Sequence, residues 1–332
     1  MRRYSVFHQV TWVIAISLAA WVFSRLPLTS IIQSAAELSL LQWLSWIVLN
    51  IVIIMIYVQR WLCLARPVGI SINFRQMFMV RQAGQAVSFI TPGPQFGGEP
   101  LQVVWLWKTY ANPGDQALLA VALDRFYELW INFAVLFIGI LVLLMTPTVQ
   151  LTDWGYIALV LISVILLLTF LGWFLLFQGQ RISGWLKRLA SRWQDHQYLS
   201  RLDVHWEGMN TRLSEIVRHH RVSLCLALLL SILGWTGMIA ELWLLLQFFN
   251  IETSISDFVL LFVAMRLAFL LPLPGGIGTL EAAVLWVFTG LDLPETGAVA
   301  LLAMMRLRDV VVLTVGLFTL RLIQSEKSAG QL

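Results

Sequence analysis

Charged residues are scarce in this 332-residue chain: Asp, Glu, Lys and Arg together make up 12% of it, while 59% is hydrophobic. Ordinary globular domains carry about 25% charge, so half of the usual water-facing surface is missing and a soluble fold is excluded. Cysteine is nearly absent. Cys63 and Cys225 both sit inside apolar runs, which excludes a disulfide framework and a four-cysteine zinc site. The chain has no G-x-x-x-x-G-K-[ST] phosphate loop, no H-E-x-x-H and no G-x-S-x-G, so it carries no ATPase or hydrolase signature of its own. The net charge of +4 comes from 22 Lys and Arg scattered between apolar stretches. With no dedicated basic domain, nucleic acid is not an expected partner.

What the chain does have is long apolar runs, and its mean hydropathy is +0.80. About 20 such residues cross a hydrocarbon core of roughly 30 Å. Six stretches qualify: Val10 to Leu28, Leu40 to Trp61, Ala117 to Met145, Gly155 to Phe177, Val222 to Phe249 and Gly297 to Ile323. Arg25, Leu26 and Pro27 follow the first run where a signal peptide would have small residues, so it reads as a retained span. Two further apolar stretches are broken near their middles, at Pro92-Gly93-Pro94 and at Pro274-Gly275-Gly276. Their halves are short for a span and suit re-entrant half-helices. The expected fold is an all-α polytopic membrane protein, a single membrane domain over residues 1–332 with six transmembrane helices and two re-entrant hairpins. Reading one or both hairpins as paired short spans is the rival count.

Basic residues set the expected orientation. With the N-terminus inside, the inner segments hold Arg2, Arg3, Arg60, Arg66, Arg75, Lys108, eight cations from Arg181 to Arg221, Arg321 and Lys327. The outer loops hold none, and carry Glu37, Asp153, Glu252, Asp257, Asp292 and Glu295. This places both termini in the cytoplasm of an inner-membrane protein. The basic linker over 178–221 mixes these cations with Trp185, Leu186, Leu189 and Trp193, as in a helix lying on anionic inner-leaflet lipids; a solvated linker is the plain alternative. His196, His205, His219 and His220 lack the spacing and cysteine partners of a metal site, so neither a metal nor a cofactor is expected.

The two broken segments resemble each other. Both read P-G-x5-E, with Glu99 matching Glu281, and downstream the Arg125-x-x-Glu128 of the first half matches Arg306-x-x-Asp309 of the second. Arg81 and Arg266 each precede their proline. The first repeat spans about 40–145 and the second about 222–323, and the charge-derived topology inverts one relative to the other. From Asp115 and Thr296, Arg125 and Arg306 each lie 10 residues inward, about 15 Å and close to the midplane. Inverted repeats with broken helices meeting there belong to alternating-access transporters.

Eleven ionisable residues fall within the apolar segments: Arg81, Glu99, Asp124, Arg125, Glu128, Glu241, Arg266, Glu281, Arg306, Arg308 and Asp309. Each costs about 2.5 to 3.5 kcal/mol or more facing lipid, so they are expected to face one another or a wet cavity. Two readings stand side by side, ion pairs that tie helices together and a polar midplane site shared by Arg125, Glu128, Arg306 and Asp309. The amides of Gly275, Gly276 and Gly278 at the start of a short helix form a natural anion seat, with Arg266 as a guanidinium fork and Glu281 in the first turn. Gly97 and Gly98 form a less regular counterpart.

At these residues the sequence resembles a known family. Pro274-Gly275-Gly276-Ile277-Gly278-Thr279-Leu280-Glu281 looks like the P-G-G-x-G-x-x-E motif of the lysylphosphatidylglycerol synthase transmembrane, or flippase-like, family. Thr91-Pro92-Gly93 to Glu99 and Asp124-Arg125 are similar to its first-half signature. The resemblance implies movement of aminoacylated phosphatidylglycerol or another lipid between leaflets. The chain runs nine residues past Ile323, too few for the synthase domain of bifunctional members, so lipid aminoacylation is not expected. The expected function is a flippase for a phosphate-bearing head group, whether aminoacylated phospholipid, polyprenyl phosphate or glycolipid. An ion-coupled small-solute transporter and an intramembrane head-group transferase are the alternatives.

Overall fold

The computed structural model describes residues 36, 38–91, 97–145, 157–170, 211–271 and 273–329. The expected first span Val10 to Leu28, the break at Pro92-Gly93-Pro94 and the basic linker as far as residue 210 lie outside the described residues. Among the described residues there is no strand. The helices are α1 Leu40–Val68, α2 Phe74–Ile90, α3 Glu99–Val104 with a π-helical turn Trp105–Thr109, and α4 Gly114–Leu144. They continue with α5 Ile157–Phe170, α6 over 211–219, then α7 Arg221–Phe248, α8 Ile255–Ala268, α9 Thr279–Gly290 and α10 Glu295–Ala329.

Three helices, α1, α4 and α7, are long and apolar enough to cross a membrane, each with a mean hydropathy of 2.1 over its best window. Their surfaces show why. Along α7, Val222, Leu226, Leu229 and Leu233 are all exposed, a stripe at helical spacing. Leu44, Ile47, Val48, Ile51 and Val52 form the same kind of face on α1. Contiguous exposed apolar surface of this extent is incompatible with water and fits lipid. The chain is a multi-pass helical membrane protein. The long α10 is 35 residues and covers the expected span, but Arg306, Arg308 and Asp309 interrupt its hydropathy near the middle.

The described residues form two compact units, each drawing on both halves of the sequence. One comprises Met1–Ile51, Met79–Gln102 and Gly237–Leu332, and the other Val52–Phe78 and Val103–Thr236.

In the first unit, α8 starts on a capping box, with Ser254 Oγ accepting from the Asp257 amide at 3.2 Å and Asp257 Oδ2 accepting from the Ser254 amide at 3.1 Å. The helix ends at Ala268, and α9 returns against it from Thr279. Between them, Gly275, Gly276 and Gly278 all have positive φ, which side chains with a Cβ adopt at a cost. This is why the break is written in glycine. The same unit holds α2 against α3 at a close approach: a Cβ on Gly98 would collide with the Gly84 carbonyl. Gly98→Ala is therefore expected to push the two helices apart and destabilise the protein by about 1 to 3 kcal/mol, read as a lower unfolding temperature in detergent. An unchanged temperature would mean the contact is slack.

In the second unit, α1 and α4 are joined by polar contacts as well as apolar ones. The Trp61 indole, itself buried, donates to the Ala120 carbonyl at 3.1 Å.

Candidate functional site

The polar groups of the first unit gather where the α8–α9 break faces α10. Arg306 is 1% exposed and all three of its guanidinium nitrogens are engaged. Nε donates to Glu281 Oε1 at 2.8 Å, and Nη2 lies 2.6 Å from the same oxygen. Nη1 donates to Asp309 Oδ2 at 2.9 Å and to the Gly275 carbonyl at 2.9 Å, while Nη2 also reaches the Gly276 carbonyl at 3.2 Å. Each of the three guanidinium nitrogens thus has at least one acceptor. Glu281 is held in turn, its other oxygen accepting from the Gly278 amide at 2.8 Å. The result is a latch that fastens the broken hairpin to the long helix.

This geometry corrects the expected role of the glycine amides. The Gly276 amide donates to Leu273 O and the Ile277 amide to Pro274 O, both at 3.1 Å, and Gly278 donates to Glu281. A tight 3-10 turn closes these N–H groups on its own carbonyls and turns the Gly275 and Gly276 oxygens outward. The loop therefore presents acceptors to a cation, and Arg306 fills that place. Arg266, expected beside the loop as a fork, instead stacks over Phe262 at 5.6 Å and donates to Met238 Sδ at 3.5 Å.

A second cluster lies in the same unit. Glu241, 3% exposed, takes Arg308 Nη1 on Oε2 at 2.6 Å, and on Oε1 takes the Trp46 indole at 3.1 Å and the Asn50 amide at 3.0 Å. Glu241, Arg266 and Arg308 share a pocket walled by Leu242, Phe262, Met265 and Met305. Trp46 and Asn50 were not singled out from sequence, since Trp and Asn in an apolar helix carry no charge signal, while Arg308 was counted among the eleven ionisable residues without a binding role. Arg81 is buried in α2. Glu99, at the start of α3, accepts from the Gly97 amide on Oε2 at 2.8 Å, two residues back, whereas Glu281 accepts from Gly278, three back.

In the second unit, Arg125 Nη1 lies 3.2 Å from Glu128 Oε2, so the i, i+3 pair forms as its Arg306–Asp309 counterpart does. The dominant cation there is Arg60, which sequence reasoning assigned to an inner flank. It is 0% exposed, donates through Nε to Asp124 Oδ1 at 3.0 Å, and places Nη2 2.8 Å from that oxygen and 3.4 Å from Glu128 Oε2. Tyr57 stacks against it at 5.0 Å. The available signal was that the apolar run continues past it through Trp61, Leu62, Cys63, Leu64 and Ala65.

Several known proteins are similar to this sequence. It is 25% identical over 268 residues to a UPF0104 membrane protein of Methanothermobacter thermautotrophicus, covering 76% of this chain and 77% of that relative. A UPF0104 membrane protein of Methanocaldococcus jannaschii is 23% identical over 277 residues, with 81% and 80% covered. A second Methanothermobacter protein of the same description is 26% identical over 246 residues, with 70% of each chain covered. No solved structure matches the chain. The family model described as the lysylphosphatidylglycerol synthase TM region matches residues 9–316, and with the broken glycine hairpin and its glutamate in place, the chain belongs to that family.

Proposed function

We propose that this protein moves a phosphate-bearing lipid head group between leaflets, with both chain termini in the cytoplasm of the inner membrane. The observation that carries the reading is the latch, a buried arginine with every guanidinium nitrogen bonded across a helix break in an apolar helical unit. Buried ion pairs of this kind add little net stability over apolar packing, and their presence inside a lipid-facing bundle marks a polar path. The hairpin fits a re-entrant element: α8 has 14 residues and α9 has 12, about 21 and 18 Å at 1.5 Å per residue, short of a ~30 Å core. The matching P-G-x5-E and R-x-x-E/D spacings of the two halves support an inverted repeat.

Unmodified phosphatidylglycerol in sealed vesicles tests this reading against that of a transferase. Impermeant periodate oxidises only outward head groups, and mass spectrometry counts them. Transport raises the oxidised fraction above that of protein-free vesicles while leaving the mass of untreated lipid unchanged. A mass change without periodate would replace transport by group transfer.

Orientation has its own test, motivated by the absence of Lys and Arg from the outer loops. With Cys63 and Cys225 replaced, Asp153→Cys and Glu252→Cys are expected to react with an impermeant thiol reagent applied from outside, and Gln194→Cys is not. Labelling at position 194 in intact cells would reverse the orientation.

A further inference from the structure

Resting on that transport reading, we infer that Phe89 is the plug of a gate in the first unit: its ring closes the glycine break, and α2 carries it away from Gly275 when the path opens. Phe89 stands in the last turn of α2, three residues before Pro92, so the helix that leads into one sequence break touches the loop of the other. A Cβ added to Gly275 would lie 2.5 Å from Phe89 Cζ and 2.8 and 2.9 Å from Cε1 and Cε2. The ring therefore points end-on into the space that the missing side chain leaves. Gly275 also gives its carbonyl to Arg306 at 2.9 Å, so plug and latch grip the same residue. The next residue, Gly276, is covered in the same way by Phe269, which lines the pocket shared by Glu241 and Arg308. Two rings packed on two glycines thus form a wall at this edge of the pocket.

The seat of α2 on α10 is built to release. The two helices meet through small residues: a Cβ on Gly316 would lie 2.5 Å from both the Ala86 Cβ and the Gln82 carbonyl oxygen, and Ala86 and Ile90 pack with Leu313 and Leu317. Close, smooth contacts of this kind let one packed helix shear along another. Gln82 supplies the bias. It is 1% exposed, and neither Nε2 nor Oε1 of its side chain has a hydrogen-bond partner. An amide buried in that way is costly, and a movement of α2 that gives it a partner relieves the penalty. The Phe89 ring thus holds the gate closed while the Gln82 amide favours its opening, so the two residues act in opposite directions.

Those opposite signs are the test. Full-length wild type, Phe89→Ala, Phe89→Leu and Gln82→Met are reconstituted with phosphatidylglycerol. The periodate assay reads movement between leaflets, and hydrogen–deuterium exchange reads the bonded amides of Gly276 and Ile277, with α7 as the reference for folding. Phe89→Ala removes contacts made only in the closed state and is expected to speed both movement and exchange about tenfold or more. Phe89→Leu keeps most of the volume but lacks the Cε and Cζ atoms that reach Gly275; it is expected to speed both by less, and it carries the test if the alanine variant unfolds. Gln82→Met is close in volume, removes the unpartnered amide, and is expected to slow both about tenfold, with a higher unfolding temperature. A ring that serves only packing would leave movement unchanged or slower in the Phe89 variants, and a partnered amide would make Gln82→Met less stable; either result overturns the gate. If wild-type protein moves no lipid while exchange shifts in the two opposite directions, transport is refuted and the gate stands. If wild-type protein moves lipid and exchange at the loop is the same in every variant, the gate alone is refuted.

Discussion

Replacing Arg306 with methionine is expected to destabilise the protein by about 3 to 5 kcal/mol, the usual cost of breaking a buried pair from one side. The substitution leaves Asp309, 12% exposed, without its nearest cation, takes the Glu281 partner away, and strips a donor from two glycine carbonyls. Glu281 is 30% exposed and recovers some hydration, which puts the effect toward the lower end of that range. Neutralising the acids together with the arginine, as Arg306→Met with Glu281→Gln and Asp309→Asn, is expected to return most of the stability but not transport, because the hairpin is then no longer fastened by charge. Denaturant unfolding in detergent measures the first effect and the vesicle assay the second. Wild-type stability of the single variant would show that the latch adds no net stability and that the hairpin holds itself.

The second large effect lies in the other unit. Arg60→Met is expected to cost about 3 to 5 kcal/mol as well, since it takes the paired guanidinium from Asp124, a carboxylate in α4 at 7% side-chain exposure. Apolar replacement of both partners, Arg60→Met with Asp124→Leu, is expected to recover most of the loss, because desolvating an ion pair consumes most of its attraction. A double variant as unstable as the single one would mean that Arg60 acts through Glu128 or Tyr57, its other neighbours, and not chiefly through Asp124.

The helices were legible because membrane segments announce themselves by length and apolarity. The expected runs from Leu40, Ala117 and Val222 became α1, α4 and α7, with α1 running on to Val68 and α4 starting three residues earlier at Gly114. The glycine break was legible for the same kind of reason: Pro274-Gly275-Gly276-Ile277-Gly278 offers a helix no continuation, and Gly275, Gly276 and Gly278 take positive φ there. Spacing of three along a helix also announced the Arg125–Glu128 and Arg306–Asp309 contacts.

Contacts across sequence were not legible. Arg60 to Asp124 spans 64 positions and Glu241 to Trp46 spans 195, and no periodicity encodes such pairings. Arg60 was read only as a topology marker, because basic residues at the end of an apolar run ordinarily mark topology, and its pairing with Asp124 was not foreseen. The direction of the glycine loop was hidden as well. Whether its amides or its carbonyls face inward depends on the 3-10 closure of Gly276 and Ile277 on the preceding turn, which follows from backbone angles rather than composition.

The central claim, that a polar path fastened by Arg306 carries lipid head groups across the bilayer, meets its most direct test in the periodate time course on sealed vesicles. Wild-type protein, the Arg306→Met/Glu281→Gln/Asp309→Asn variant and protein-free vesicles are compared at equal protein and lipid content. The account predicts that wild-type protein makes the inner-leaflet phosphatidylglycerol oxidisable while the folded triple variant behaves as empty vesicles do. Wild-type protein indistinguishable from empty vesicles would contradict it.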